Sequence, residues 1–210
     1  SNGKSRQQVI LQKKATNKTI NTSHKTSLNV MKTYHSFAIY QGYSQLIEDY
    51  DDDGFYQTFS VTFDADVYGD YANESATVYA ELYLSKDGGD WIHYYSTEDF
   101  TIFGESTEDE FEVYTTLNQG YIPENYDVLI DLYEVGYTDI VATYSSDDTN
   151  DLYALPLESS DYDPDYVEYH SDSHSHGGTS SIMIIFLLLS LISKYTYSTK
   201  KHESLINNKH

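Results

Sequence analysis

Apolar and polar residues alternate one by one through the middle of the chain, which is the period of a β-strand with one buried face and one wet face. A first stretch, residues 59–67, has apolar side chains at Phe59, Val61, Phe63, Ala65 and Val67. A second stretch, residues 77–84, repeats the pattern with Val78, Ala80, Leu82 and Leu84. We therefore expect antiparallel strands whose apolar faces share one core.

Further strands follow at short intervals and are separated by turn residues. Residues 86–90 (KDGGD) predict a tight hairpin turn, because glycine adopts positive φ readily. Residues 126–135 are apolar on both faces, which is typical of a central strand. The remaining strands are expected at residues 91–95, 99–103, 110–117 and 140–144. About seven strands within about 100 residues predict an all-β fold, a single antiparallel β-sandwich of the Ig-like or jelly-roll-like kind.

The segments that flank this sandwich, residues 39–158, have no strand pattern. Residues 1–38 are polar and basic and show no helical period of adequate length, so they predict a flexible, disordered leader. Residues 159–178 are rich in Asp, His, Ser and Gly. We expect them to bury no core and to act as a stalk.

An apolar run, residues 182–192 (IMIIFLLLSLI), lies near the C-terminal end and is followed by Lys194, Lys200 and Lys201. Its length alone would suit a buried core helix, since as an α-helix the run would be shorter than the roughly 30 Å thickness of the hydrocarbon core of a bilayer. It has no polar face, however, and it follows a polar stalk. We therefore predict a transmembrane helix over residues 179–194, with residues 195–210 as a cytoplasmic basic tail and the preceding residues outside.

Gly177 and Gly178, followed by small residues, a short apolar run and a basic end, resemble the GlyGly-CTERM sorting signal of Gram-negative bacteria. The resemblance implies recognition by a rhomboid-type intramembrane protease, a rhombosortase, and cleavage near the two glycines. It also implies that the protein lies in the bacterial cell envelope, at the cell surface or secreted after processing.

The domain itself resembles the family called choice-of-anchor H. The resemblance is carried by DYDDDG at 49–54, FSVTFDADV at 59–67, VYAELYLS at 78–85 and YDVLIDLYEVG at 126–136. It implies surface display and no known catalysis.

The charge is distributed unevenly along the chain. Seven of the twelve Lys and Arg residues lie within residues 1–32, whereas residues 33–193 contain one, Lys86, against 33 Asp and Glu, a formal charge of −32. Such a domain repels phosphate backbones, so nucleic acid is excluded as a partner. It attracts cations that prefer oxygen ligands, calcium above all, although the same charge also serves solubility.

Asp49, Asp51, Asp53 and Gly54 match the first half of the calcium loop D-x-[DN]-x-[DN]-G. The twelfth position would be Ser60 and a strand follows, so the loop is not an EF-hand. Asp64 or Asp66 on that strand could complete the site, Asp64 is taken as the candidate fourth ligand, and the alternative is a solvated acidic loop. The alternating set Asp161, Asp163 and Asp165 lacks a glycine, and for it a solvated segment is favoured.

Four aromatic side chains on expected strand faces could form a stacking platform for a surface ligand: Tyr79, Tyr83, Trp91 and Tyr94. The alternative is cross-strand pairing that stabilises the sheet. The prediction is a non-enzymatic module with a binding or envelope-structural role. The alternative is a secreted accessory hydrolase or carbohydrate-active domain that uses paired carboxylates.

Overall fold

The computed structural model describes residues 3–23, 35–71 and 74–163. Within them lie one α-helix, nine strands and one short 3-10 turn. The helix is α1 (Arg6–Ser23) and the turn is Asn150–Leu152. The strands are β1 (Ser36–Glu48), β2 (Thr58–Tyr68), β3 (Ser75–Lys86), β4 (Ile92–Ser96), β5 (Phe100–Phe103), β6 (Phe111–Thr116), β7 (Glu124–Glu134), β8 (Ile140–Ser145) and β9 (Leu155–Leu157). The expected all-β class is confirmed.

The strands form two antiparallel sheets. The smaller sheet has the order β1-β2-β6, and the larger has the order β4-β3-β7-β8, with β5 paired to β3 and β9 paired to β7. Alternate side chains of both sheets belong to one hydrophobic cluster, as the period of two requires. Its buried members include Phe59, Val61, Phe63, Val78, Ala80, Leu82, Ile102, Val113, Val128, Ile130 and Leu132.

The seven predicted strands are all present, with ends that differ by at most two residues from the expected ones. The predicted hairpin turn joins β3 to β4. Asp87 and Gly88 have φ of 50° and 67°, and the N–H of Gly89 donates to the carbonyl of Lys86 at 2.9 Å. Positive φ at both central residues gives a turn whose twist matches that of the strands.

The expectation of a wet face on β2 is wrong. The polar residues that alternate with its apolar ones are buried as well: Ser60, Thr62, Asp64 and Asp66. β2 is the central strand of its sheet. Period-two alternation thus identified the strand, but it did not show that the polar side was covered.

The flexible leader expected over residues 1–38 is wrong for the part that the structure describes. α1 occupies Arg6–Ser23, and β1 begins at Ser36, before the expected start of the sandwich. Two register shifts, between Ile39 and Gln41 and between Leu46 and Glu48, interrupt the alternation of β1 and conceal the strand in the sequence.

The expected stalk also begins too early. Glu158 and Ser159 are fully buried and Asp163 is 2% exposed. The N–H of Ser159 donates to the carbonyl of Tyr121, and the N–H of Ser160 donates to that of Leu117, each at 2.9 Å. Residues 159–163 are therefore part of the β domain.

The predicted sorting helix at 179–194 lies outside the described residues, as do the rest of the stalk and the basic tail. Within the residues that are described, no helix is both long and apolar enough to cross a membrane.

His35, directly before β1, connects the start of that strand to the larger sheet. Its Nδ1 lies 2.9 Å from Glu134 Oε1 and its Nε2 lies 3.1 Å from Glu74 Oε1. Both nitrogens can donate only when the ring is an imidazolium. Burial lowers the pKa of His35, but the hydrogen bonds to Glu134 and Glu74 outweigh it and raise that pKa above its ordinary value.

Replacing His35 with glutamine is expected to destabilise the protein in a pH-dependent way. Because the pKa of His35 is higher in the folded state, its contribution to the free energy of unfolding is complete below about pH 6.5. That contribution is lost as the pH rises through the folded-state pKa. Urea unfolding should therefore show a deficit of roughly 1–2 kcal/mol at pH 5.5 and almost none at pH 9. Equal deficits at both pH values would contradict this role.

Candidate functional site

The loop between β1 and β2 folds its alternate carboxylates towards one another. Asp51 Oδ1 accepts the N–H of Asp53 at 3.1 Å, and Asp49 Oδ2 accepts the N–H of Gly54 at 3.0 Å. Asp52 and Gly54 have positive φ, 59° and 94°. Glycine adopts that conformation without steric cost, which explains its place in the motif.

Two acidic residues from the end of the domain complete this cluster. The carboxylate of Asp163 accepts the N–H groups of Tyr50 and Asp51 at 2.9 and 3.0 Å. Carboxylate oxygens of Asp49, Asp51 and Asp163 lie within 4.8 Å of one another, and so do those of Asp51, Asp53 and Glu158. Asp51 belongs to both groups, so the five carboxylates form one continuous acidic site.

Of the five carboxylates in the acidic site, that of Glu158 lies in the environment that most favours a bound cation. The Glu158 side chain is fully buried, and neither carboxylate oxygen has a hydrogen-bond partner among the residues that the structure describes; the same holds for the buried Asp49 Oδ1. Burial, followed by the charges of Asp53 and Asp51, raises the pKa of Glu158 to about 7. A buried carboxylate without a hydrogen bond, next to other carboxylates, costs free energy that a bound cation would offset.

The donor set fits a hard divalent cation. Ca²⁺ takes six to eight oxygen ligands at about 2.3–2.6 Å, so oxygens on opposite sides of the ion are roughly 5 Å apart. In each group the carboxylate oxygens lie within 4.8 Å of one another, which is close enough for one ion to contact all three. Carboxylates alone, without His or Cys, favour calcium, magnesium or manganese over zinc or copper.

Asp64, expected as the fourth ligand, is not part of this site. Thr58 pairs with Glu48 at the entrance of the acidic loop, and Asp64 lies six residues further along β2. At about 3.3 Å per residue, that is roughly 20 Å away. Asp64 is instead buried, and its pKa is raised to about 6 by burial and then by the charge of Asp66.

The second acidic set contributes in part. Asp163 belongs to the site, whereas Asp161 Oδ2 accepts the N–H of Gly120 at 3.3 Å. Asp165 lies outside the described residues, as do Gly177 and Gly178, the expected cleavage position. The only sequence signal for Asp163 was its place in an alternating acidic run, and Glu158 gave none.

The four aromatic candidates do not form an open platform, which corrects that expectation. Tyr83 is fully buried beneath α1, in contact with Val9, and Trp91 packs against the same cluster. Tyr79 stacks on its cross-strand neighbour Tyr133 with ring centroids 5.2 Å apart. Tyr94 packs against the central core, 5.8 Å from Phe59 between centroids.

Ser96, His93 and Glu81 meet on the edge of the larger sheet. Ser96 Oγ lies 3.1 Å from His93 Nε2, and both groups contact Glu81 Oε2 at 2.5 Å. A serine–histidine–carboxylate relay needs the serine and the carboxylate on different ring nitrogens. Here both contact Nε2, so the arrangement is a hydrogen-bonded cluster without relay geometry.

No family model matches the chain, and no curated protein matches it. Among solved structures, a domain of the outer membrane lipoprotein Omp28 from Porphyromonas gingivalis is similar, with 14% identity and a TM-score of 0.30 over 59% of this chain and 99% of that one. A β-glucuronidase from glycoside hydrolase family 2 shows 14% identity and a TM-score of 0.28 over 52% of this chain. The match spans 10% of the length of that enzyme.

Proposed function

We propose that the chain is a non-enzymatic, surface-displayed β-sandwich module that binds Ca²⁺ between the acidic loop and residues 158–163. The observation that carries the proposal is Glu158, a fully buried carboxylate that has no hydrogen-bond partner within residues 3–23, 35–71 and 74–163. One of its oxygens lies within 4.8 Å of carboxylate oxygens of Asp51 and Asp53. Its burial and its neighbours leave a cation as the partner that fits.

The cation would join segments that are far apart in the sequence. Asp49, Asp51 and Asp53 precede β2, whereas Glu158 and Asp163 follow β9, more than 100 residues later. A ligand that contacts both segments closes the β domain at the point where its chain leaves towards the predicted stalk. The ion would therefore have a structural role, in which it links the two segments and takes no part in catalysis.

The placement outside the cytoplasm rests on the sequence. The apolar run at 182–192 with lysines behind it, the glycine pair at 177–178 and the domain's resemblance to choice-of-anchor H proteins support an anchored protein of the bacterial envelope. Processing by a rhombosortase-like protease would transfer the module to the surface or release it. There it would bind a surface ligand or serve as an envelope component.

Calcium is expected to raise the thermal midpoint of the full chain in constant detergent. A ligand at 100 times its Kd stabilises the native state by about 2.7 kcal/mol. For 150–250 residues each kcal/mol corresponds to about 2–4 °C, so we expect a rise of roughly 5–11 °C. The measurement is circular dichroism melting in 5 mM CaCl₂ against NaCl of equal ionic strength at pH 7.5. An unchanged midpoint would overturn the calcium proposal.

A further inference from the structure

A cavity of about 460 Å³ lies between the N-terminal segment and the outer face of the larger sheet. Its volume falls within the roughly 300–1,000 Å³ that is typical of sites for small molecules. β3 and β4 contribute Tyr79, Glu81, His93 and Ser96, and the other lining residues come from residues 4–16 and from the turn at residues 136–138. None of these residues belongs to the acidic site.

The N-terminal segment is held against the sheet and forms one wall of this cavity. Arg6 donates from its guanidinium to both oxygens of Asp131 at 2.7 and 2.8 Å. Lys13 Nζ lies 2.6 Å from Glu81 Oε1, and Val9 is buried in an apolar cluster with side chains of the sheet. The segment thus limits the cavity without filling it, so the space beside it is available to a ligand.

Glu81 is the only carboxylate among the described residues that line the cavity. Its Oε2 accepts the hydroxyl of Ser96 and contacts Nε2 of His93, both at 2.5 Å, and its Oε1 pairs with Lys13. Burial raises the pKa of Glu81, but hydrogen bonds from these three partners outweigh burial and lower that pKa to about 2. The carboxylate is therefore ionised, and both of its oxygens are engaged by donors of the chain itself.

The cavity has more hydrogen-bond donors than its own acceptors engage. Lys4 Nζ donates to Gln12 Oε1 at 2.6 Å and forms no ion pair with a carboxylate of the described chain. An ammonium group has three protons to donate, so Lys4 can bind further acceptors. Tyr79 Oη accepts a hydrogen bond from Lys13 at 3.1 Å, which leaves its own proton for another partner. Positive charge and unused donors favour a ligand with an anionic group, because charge-assisted hydrogen bonds are the stronger ones.

The remaining surface of the cavity suits hydroxyl groups. Thr16, Ser96, Tyr137 and Thr138 contribute hydroxyls, and Val9 is the only aliphatic side chain among the described residues that line it. A hydroxyl both donates and accepts, so these groups match a ligand that carries several hydroxyls of its own. A fatty acid would leave them unpaired. The ammonium of an amino acid would lie near two lysines without a free carboxylate to bind it.

We propose that this cavity binds a sugar acid, a single polyhydroxylated ring whose carboxylate pairs with Lys4 and whose hydroxyls contact the hydroxyl-bearing side chains around it. The formal charge of −32 over residues 33–193 does not prevent this, because exposed charges more than about 8 Å away are largely screened at physiological ionic strength. The cavity shares no residue with the cation site, so the inference is independent of calcium. It gives a chemical class to the surface ligand of the proposed function, and it rests on that function only for the location of the protein.

Ligand-observed NMR with the full chain in constant detergent and EDTA tests the proposal. The probes are D-glucuronate and D-galacturonate, the neutral sugars D-glucose and D-galactose, and acetate, which has the charge without the ring. We expect at least one of the two uronates to bind with a Kd in the millimolar range or below. It should bind at least 5-fold more tightly than its neutral sugar and than acetate. EDTA removes calcium, so this result does not depend on the cation site.

Two lysine substitutions provide a matched pair. Lys4→Gln and Lys14→Gln each remove one positive charge from the N-terminal segment, but Lys14 does not line the cavity, and its carboxylate contact is the exposed Asp139. Lys4→Gln should weaken uronate binding at least 5-fold, whereas Lys14→Gln should change it less than 2-fold. Both lysines are exposed, so both variants should retain the thermal midpoint of the wild type.

Three results would overturn the proposal. The first is that neither uronate binds to the folded protein. The second is that the neutral sugar or acetate binds as tightly as the uronate, which would show that the carboxylate or the ring is not recognised. The third is equal weakening by Lys4→Gln and Lys14→Gln, which would show general charge attraction.

A variant that fills the cavity tests the location of the ligand. Thr138 lines the cavity and is only partly buried, so Thr138→Trp should place an indole in this space while thermal unfolding remains cooperative. Uronate binding should then be lost. Binding that persists in the folded Thr138→Trp variant would place the ligand elsewhere and would contradict the proposal.

Discussion

Replacing Glu158 with glutamine is expected to stabilise the calcium-free protein and to weaken its response to calcium. At pH 8, above the raised pKa of about 7, the wild-type side chain is an ionised carboxylate without a hydrogen bond, next to Asp51 and Asp53. Glutamine has nearly the same shape and no charge. We expect a gain of roughly 1–3 kcal/mol in the calcium-free free energy of unfolding, measured by urea denaturation in EDTA.

A gain in calcium-free stability together with a smaller stabilisation by calcium distinguishes a metal ligand from a carboxylate that only supports the fold. If Glu158 only supported the fold, its replacement would lower stability with and without calcium. Asp161→Asn provides a matched control, because Asp161 is three residues away in the same acidic segment but belongs to neither carboxylate group. That variant should keep the calcium response. Destabilisation of the calcium-free Glu158→Gln variant would contradict the assigned role.

Replacing Arg6 with alanine is expected to cost about 2–4 kcal/mol in the free energy of unfolding. The side chain of Asp131 is fully buried, and loss of its partner leaves a desolvated charge opposite Glu81. Breaking a buried pair from one side typically costs 3–5 kcal/mol, and the lower figure reflects the 30% exposure of Arg6. The measurement is urea denaturation of the full chain at pH 7.5.

A double-mutant cycle isolates this pair from the rest of the helix contact. In an Asp131→Asn background there is no carboxylate charge to leave unpaired. Arg6→Ala should therefore lower the free energy of unfolding by less than about 1 kcal/mol, since exposed or uncharged contacts contribute little. Equal costs in both backgrounds would show that Arg6 acts through packing alone. The comparison uses the same detergent and salt throughout.

The strands of this fold could be predicted where local pattern and tertiary environment agree. In β2 and β3 every second residue faces the common core, so alternation identified both strands. β1 was missed because two register shifts break its period. α1 was missed because its contacts with the domain come mainly from Arg6, Val9 and Lys13, a pattern with too few apolar positions to show a helical stripe.

The acidic site could be predicted only as far as its contiguous half. Asp49, Asp51 and Asp53 belong to one loop motif, which can be recognised in the sequence by its alternate acidic residues and the glycine that follows them. Glu158 and Asp163 join them through pairing of the segment after β9 with the loop, a contact more than 100 residues distant. Only the folded chain places these residues together, and the wrong choice of Asp64 followed from considering the neighbouring strand alone.

Direct titration of calcium into the full chain by isothermal calorimetry at pH 7.5 tests the cation site most directly. We predict one Ca²⁺ bound per chain in the wild-type protein and in Asp161→Asn, with at least 10-fold weaker binding in Glu158→Gln. Wild-type protein that binds no calcium at millimolar concentration, or a Glu158→Gln variant that binds it as tightly as the wild type, would contradict the account.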